Sequence, residues 1–333
     1  MGLQGTVIRS IFQTAASFGA AFDTLCQLSG INPEEINDSE NMVEWEKAAL
    51  IWVPLLKLSG DPLIGLRIGM SADKSLHGMV GFLIQSCKDL NQALELFARY
   101  GHMSSPMVAY RYTVKQVAVL EITQNKLWLM KYPEPGRHAN DFLLATIVNT
   151  CRALSGKHIV PARVELAFEM REISAYRDFF GCDVLFNKEI NRIVLSKEDI
   201  STAILTSDQS MFQLFNSIVA DKQALLTSNS TVENLKQVLF MQFKGRIPTI
   251  EEAAFALNMT PRHLQRRLLQ EQTTFRDIAG ATRKEIALQL MQNPAIKISE
   301  VSDILGYSDL TAFRKAFKSW ANATPSAIRK GSA

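Results

Sequence analysis

Cysteine is scarce in this sequence, and the four present, Cys26, Cys87, Cys151 and Cys182, stand far apart. No CxxC pair or Cys/His cluster occurs, so neither a disulfide framework nor a zinc site is indicated, and the thiols read as reduced and mostly buried. Long apolar runs are missing as well: none approaches the ~18–20 residues that a membrane-spanning helix needs. Arg9 is followed by mixed small and polar residues without a cleavage pattern, so no signal peptide is indicated. The chain is therefore expected to stay in the cytoplasm, away from any membrane. Catalytic signatures are absent too. There is no GxSxG, HExxH, GxGxxG or Walker-type run, and His77, His102, His138 and His158 show no metal-ligand spacing. These absences argue against an enzyme, and no cofactor or metal is expected.

Charge of one sign is nearly balanced, with a net of +3 over 333 residues, but its distribution is uneven. From Val232 onward there are 15 Lys+Arg against 9 Asp+Glu, which leaves 21 basic against 24 acidic residues in front. A basic tail behind a slightly acidic front suggests that only the tail meets a polyanion. Apolar content of 47% and charged content of 21% are ordinary for globular domains, and the length suffices for two.

The front part mixes periods. Val7–Phe18 and Ala20–Ser29 are apolar at helical spacing and end at Gly19 and Gly30. Trp45–Leu58 reads as one helix kinked at Pro54 and stopped by Gly60-Asp61-Pro62, and Leu90–Tyr100 is strongly amphipathic. Met107–Thr113 and Val117–Thr123 alternate around Lys115-Gln116 as a hairpin does, with Leu127–Tyr132 a candidate third strand. A long helix, Arg137–Leu154, closes at Gly156. Short strands near Arg163–Glu169, Asp183–Phe186 and Arg192–Leu195 surround a helix at Ile173–Phe180. The predicted fold is an α+β N-terminal domain over residues 1–206. Over 207–231 a polar helix is expected to pass into a linker rich in Ser, Thr and Asn, and an all-α C-terminal domain is expected over 232–333.

That tail holds two copies of one plan, each a helix, a tight turn and a second helix with basic side chains: Thr249–Glu271 and Ile298–Trp320. In the first, Thr249 and Glu252 make a capping box, Asn258 suits the left-handed turn, and Thr260-Pro261 starts the second helix. Leu264, Leu268 and Leu269 are expected inward. Arg262, Gln265 and Arg266, with His263 beside them, then face outward. Arg matches the O6/N7 edge of guanine and Gln the N6/N7 edge of adenine. Thr274 and Asp277 cap a connecting helix, Phe275–Met291, that ends before Asn293-Pro294. In the second copy Gly306 supplies the turn and Asp309 the start, Phe313 and Phe317 face the core, and Thr311, Arg314 and Lys315 face outward. Lys318 is placed for a phosphate. This unit is the poorer reader, because Leu310 and Ala312 replace polar groups and Lys297 stands where a Ser-type cap is expected. Two helix-turn-helix units on one chain suit two successive major-groove faces of double-stranded DNA.

The tail resembles the DNA-binding domain of AraC/XylS-type transcription regulators. The likeness rests on Ala254, Leu257, Leu264-Gln265-Arg266, Ile304-Leu305-Gly306-Tyr307, Phe313, Ala316-Phe317-Lys318 and the closing Thr324-Pro325-Ser326-Ala327-Ile328-Arg329. It departs at Tyr307, where Phe is usual, and at Ser302, where Ala is usual. The front part resembles the arabinose-binding-type N-terminal domain of one branch of that family, through Leu58–Gly69, Leu76–Tyr100 and Ala175–Asn187. The resemblance implies a regulator, an activator in the usual case, that binds DNA and answers to a small-molecule effector, without making that effector arabinose. RNA polymerase and a second copy of the chain are the further expected partners. Candidate effector contacts are Tyr110, Arg137 and His138. Arg137-His138 with Asp141 stand at the start of the long helix, where an anion would be favoured; the competing reading is a solvated first turn. Tyr110, Tyr112 and Trp128 are strand aromatics that line a pocket or simply fill the core. A front domain that only dimerises, with no small ligand, is the alternative.

Overall fold

The computed structural model describes residues 2–38, 41–72, 78–105, 107–169, 172–228, 230–241, 248–257, 259–291, 296–321 and 323–331. His77, Asn258 and Asn293-Pro294 lie outside the described residues. By its internal contacts the chain divides into two units, Met1–Gln124 with Tyr132–Gln223, and Asn125–Lys131 with Ala224–Ala333.

The front unit opens with β1 (Gly2–Gln4) and α1 (Gly5–Ala15), whose Val7, Ile8, Ile11 and Phe12 recur at helical spacing and are buried. After α2 (Phe22–Ser29), β2 (Met42–Glu44) pairs antiparallel with β1. The expected kinked helix is two helices, α3 (Trp45–Leu50) and α4 (Trp52–Ser59), broken at Ile51 and not at Pro54. Pro54 falls in the first turn of α4, where a missing N–H costs little. Then come α5 (Ile64–Met70), α6 (Gly78–Gln85) and α7 (Leu90–Tyr100). Asp89 caps α7 by accepting from the Gln92 N–H at 2.8 Å.

A hairpin follows, β3 (Val108–Val114) and β4 (Ala118–Gln124), with Val114 opposite Ala118 and a three-residue loop centred on Gln116. The candidate third strand is helix instead, α8 (Lys126–Lys131). β4 already has β3 on one side and another strand on the other, so the segment cannot pair with the strand it follows. Asn125 accepts from the Trp128 N–H at 3.2 Å and starts the helix. α8 groups with the tail unit, and the front unit resumes with α9 (Pro133–Ser155), β5 (Arg163–Glu165), α10 (Ile173–Phe180), β6 (Val184–Leu185), β7 (Asn191–Leu195), α11 (Lys197–Ile200) and α12 (Gln209–Ser228), which belongs to it as far as Gln223. The last of these puts a 20-residue helix over most of the segment read as polar helix and linker.

The sheet runs β3-β4-β7-β5-β6, antiparallel except for β5 beside β6. One face buries Leu120, Ile122, Ile193 and Val164 against α7 and α9. The other carries a charge ladder: Arg111 to Glu121, Arg192 to both Glu121 and Glu165, and Arg163 to Glu165, all hydrogen-bonded. α5 lies directly on α9 because Gly65 and Gly69 leave room. A Cβ at Gly65 would come within 2.2 Å of the His138 carbonyl oxygen, and one at Gly69 within 2.5 Å of that of Phe142.

The tail unit is all helix: α13 (Thr231–Met241), α14 (Ile250–Ala256), α15 (Pro261–Gln270), α16 (Phe275–Met291), α17 (Ile298–Ile304), α18 (Leu310–Ala321) and α19 (Pro325–Gly331). Leu235, Leu239, Ala253, Ala254, Leu264, Leu268 and Ile278 form its first core. Val301, Leu305, Phe313 and Phe317 are among the buried residues of the second half. α16 packs against α13 near one end and against α17, α18 and α19 further along. Among the described residues no single helix is long and apolar enough to cross a membrane.

Candidate nucleic-acid interface

The two helix-turn-helix units are built by local hydrogen bonds that their sequences specify. In the first, the Thr249 N–H donates to Glu252 at 2.8 Å and the Glu252 N–H donates back to the Thr249 hydroxyl at 3.3 Å. The chain turns with the Met259 N–H on the Ala254 carbonyl at 2.8 Å. Thr260 then accepts from the His263 N–H at 3.2 Å, and Pro261 opens α15. In the second, the Tyr307 N–H reaches the Ser302 carbonyl at 3.1 Å, and Gly306 takes a positive φ of 74°. Asp309 accepts from the Ala312 N–H at 2.8 Å; that bond holds its carboxyl below the usual range. At α17 only half of a capping box forms, the Lys297 N–H donating to Glu300 at 2.8 Å, since a Lys ammonium has no oxygen to accept with.

Leu264 and Leu268 are fully buried, and the positions 49 residues later, Phe313 and Phe317, are buried in the same way. With that spacing Arg262, Gln265 and Arg266 correspond to Thr311, Arg314 and Lys315, and all six are exposed. His263 and Lys318 are exposed too. Leu269 departs from expectation: it is 66% exposed, because a helix turns roughly 100° between Leu268, which points inward, and its neighbour. It occupies the position that Lys318 holds in the second unit. Each second helix thus presents polar and cationic groups along one face and a two-residue apolar anchor along the other. Thr274 and Asp277 start α16 as read, the Thr274 hydroxyl donating to Asp277 at 2.6 Å and accepting its N–H at 3.2 Å.

One contributor was not singled out in the sequence. Glu271, the residue after α15, accepts from the Ser230 hydroxyl and from the N–H groups of Thr231 and Val232, at the first turn of α13. Its signal is the glutamate closing the first repeat, which carries no partner until the fold brings α13 alongside.

The effector candidates of the front unit are placed differently from one another. Tyr110 stacks edge-on against Phe97, with centroids 4.9 Å apart, and burial raises its phenol well above the usual range. Tyr112 donates to Asn91 at 2.9 Å. Arg137 and His138 stand in the second turn of α9, which begins at Pro133, so neither belongs to an exposed helix terminus. Both are buried, at 6% and 1% exposure. His138 stacks on Trp52 at 6.1 Å. Arg137 donates to the Pro62 carbonyl at 3.0 Å and lies 3.7 Å from Asp141, and Tyr176 donates to Asp141 at 2.9 Å. Burial pushes the Asp141 carboxyl up to about 7, against the downward pull of Arg137 and Tyr176. Arg137 Nε and Nη1 and Asp141 Oδ1 are enclosed without a hydrogen-bond partner. Tyr176 is the member of this group that sequence reading passed over as part of a structural motif.

Comparison with known proteins gives two family matches. The profile for the arabinose-binding domain of AraC transcription regulators, N-terminal, covers residues 19–204, and that of a helix-turn-helix domain covers 253–331. The Ornithine utilization regulator of Pseudomonas aeruginosa is 23% identical over 328 residues, spanning 96% of this chain and 94% of its own length. The HTH-type transcriptional regulator VirS of Mycobacterium tuberculosis is 25% identical over 279 residues, with 80% and 78% covered. Among solved structures, the transcriptional regulator CdpR from Pseudomonas aeruginosa aligns over 92% of this chain and 96% of its own, at 22% identity and a TM-score of 0.43.

Proposed function

The chain belongs to the AraC-type transcription regulators with an arabinose-binding-type N-terminal domain, and we propose that α15 and α18 are its two DNA-reading helices. The regulator acts in the cytoplasm, without catalysis of its own. The observation that carries the reading is the exposed set Arg262, Gln265 and Arg266, opposite the buried Leu264 and Leu268 on one capped helix. Arg262, His263, Gln265 and Arg266 meet base edges in one stretch of major groove. Thr311, Arg314 and Lys315 meet the next, and Lys318 holds a phosphate there, which fixes position more than it reads sequence. Residues 232–333 carry this activity and 1–206 its control. RNA polymerase is the partner at the promoter.

A small effector is sensed in the front unit, where Arg137, His138, Asp141 and Tyr176 bring buried polar groups together. The enclosed donors of Arg137 and the free Oδ1 of Asp141 are what a polar ligand would satisfy. Tyr110 contributes through the shape of the core beside Phe97. Self-association uses the same unit: α12 exposes Met211, Leu214 and Ile218 at i, i+3 and i+7.

Selection of bound sequences from a random pool yields the operator, and gel-shift titration then tests the helix assignment. Arg266→Ala weakens specific binding by about 1–3 kcal/mol and relaxes one base position. Unchanged affinity and unchanged preference would remove α15 from the groove.

A further inference from the structure

The tail unit contains a cleft of about 420 Å³ between the connecting helix and the second helix-turn-helix, which DNA reading does not use. The small residues Ala279, Gly280 and Ala316 give it depth, and the rings of Phe275, Tyr307 and Trp320 line it. A Cβ built on Gly280 meets nothing within 4 Å, so the space above that residue is open. Two cations complete the lining, the exposed Arg276 and the half-buried Arg283. The Arg283 guanidinium lies over the Tyr307 ring at 5.4 Å, and its Nε makes no hydrogen bond.

Each part of this lining selects for one feature of an occupant. Aromatic walls favour a flat apolar body, and planar guanidinium groups favour a carboxylate, which they hold through paired N–H donors. The volume is in the range of sites that enclose small organic molecules. At 3.6 residues per turn, Ala316 and Trp320 lie on roughly the opposite side of α18 from Thr311, Arg314, Lys315 and Lys318. On the reading that the outer face of α18 lies in a groove, the cleft stays open on the operator.

We propose that this cleft is a ligand site in the DNA-binding unit itself, and that it takes a planar aromatic carboxylate. An occupant touches both α16 and the second helix-turn-helix, so it restrains the angle between them. That angle decides how well α15 and α18 reach successive grooves together, which couples ligand binding to operator affinity.

The test is calorimetric titration of the full chain with 2-naphthoate, alone and saturated with operator DNA. Wild-type protein binds the probe saturably in both states, and neutral 2-naphthol binds far more weakly. Gly280→Leu, which fills the cleft and removes no contact, abolishes binding. Arg276→Gln, an exposed change that leaves folding untouched, weakens it by about tenfold. Without the probe, Arg276→Gln keeps the wild-type operator affinity and Gly280→Leu keeps the wild-type melting transition, and those measurements separate a lost ligand site from a damaged fold. Absence of saturable binding at millimolar probe overturns the proposal. So does binding that survives Gly280→Leu, which would put the probe elsewhere in the chain, or expulsion of the probe by the operator. A wild-type chain that binds 2-naphthoate but selects no DNA sequence would instead refute the DNA-reading assignment and leave the cleft standing.

Discussion

Replacing Glu271 by alanine tests how the first reading helix is braced. Its carboxylate takes the N–H groups of Thr231 and Val232, donors at the start of α13 that have no partner inside that helix. A negative charge there also meets the positive end of the helix dipole. Burial pushes the Glu271 carboxyl up, but the hydrogen bonds from Ser230, Thr231 and Val232 outweigh it and hold the group down at about 2. Glu271 is only half-buried, so solvent screening cuts the stabilisation well below what a shift of that size would be worth in a core. Measured losses of helix caps then set the scale, about 1–2 kcal/mol for Glu271→Ala. A loss in that range speeds amide exchange across residues 230–241 by roughly tenfold, which hydrogen-exchange mass spectrometry at neutral pH resolves. The pH dependence follows from the depressed folded-state value. The stabilisation is complete above the unfolded value of 4.5 and is lost as pH falls towards about 2, so variant and wild type converge in acid. Unaltered exchange in α13, or a difference in urea stability that persists undiminished near pH ~3, would refute the brace.

Two further outcomes are expected. Lys318→Ala weakens binding to all DNA sequences alike and lowers the slope of log affinity against log salt by about one unit; an unaltered slope would mean that Lys318 touches no phosphate. Asp141 has a folded-state value raised from 3.8 to about 7, so the front unit loses stability as pH rises through that range, and Asp141→Asn flattens the dependence of its melting temperature on pH. A profile that keeps its slope in the variant would place the titrating group elsewhere.

The tail was legible in the sequence because its elements are specified locally. Thr249, Thr260, Thr274 and Asp309 each cap the helix that follows within three residues, and the bonds that do so are in place. The buried pairs Leu264/Leu268 and Phe313/Phe317 follow directly from helical period. In the front unit the hairpin was legible for the same reason, through alternation on both strands. What failed depended on distant neighbours. Residues 127–132 have strand-like composition, yet β4 had no free edge to offer them. Arg137 and His138 looked like an exposed first turn until Pro133 extended α9 backward and α5 settled on them through Gly65. Leu269 is the exception, a local failure: it was counted inward by type, and the period of its own helix carries it out.

The connecting helix has a consequence for how the operator is read. α16 has 17 residues, about 25 Å at 1.5 Å each, whereas successive major-groove faces of straight duplex lie ~34 Å apart. It is not free to stretch, since Ile278, Ala279, Thr282, Ile286, Ala287, Leu290 and Met291 are buried along its length. On the proposed assignment of α15 and α18 to successive grooves, a connector of this length would put the mismatch on the DNA, which would bend toward the protein when both helices engage. Smooth bending of a site this size costs on the order of 1–6 kcal/mol, by an amount that depends on the sequence bent. On the same reading that is comparable to the loss of about 1–3 kcal/mol expected for Arg266→Ala, so base pairs between the two half-sites would shape affinity although no side chain reaches them. The poorer chemistry of the second unit, where Thr311 stands opposite Arg262 in the repeat, is consistent with this division. On that reading the first helix supplies base contacts, and the second supplies the grip that holds the duplex in its bent form.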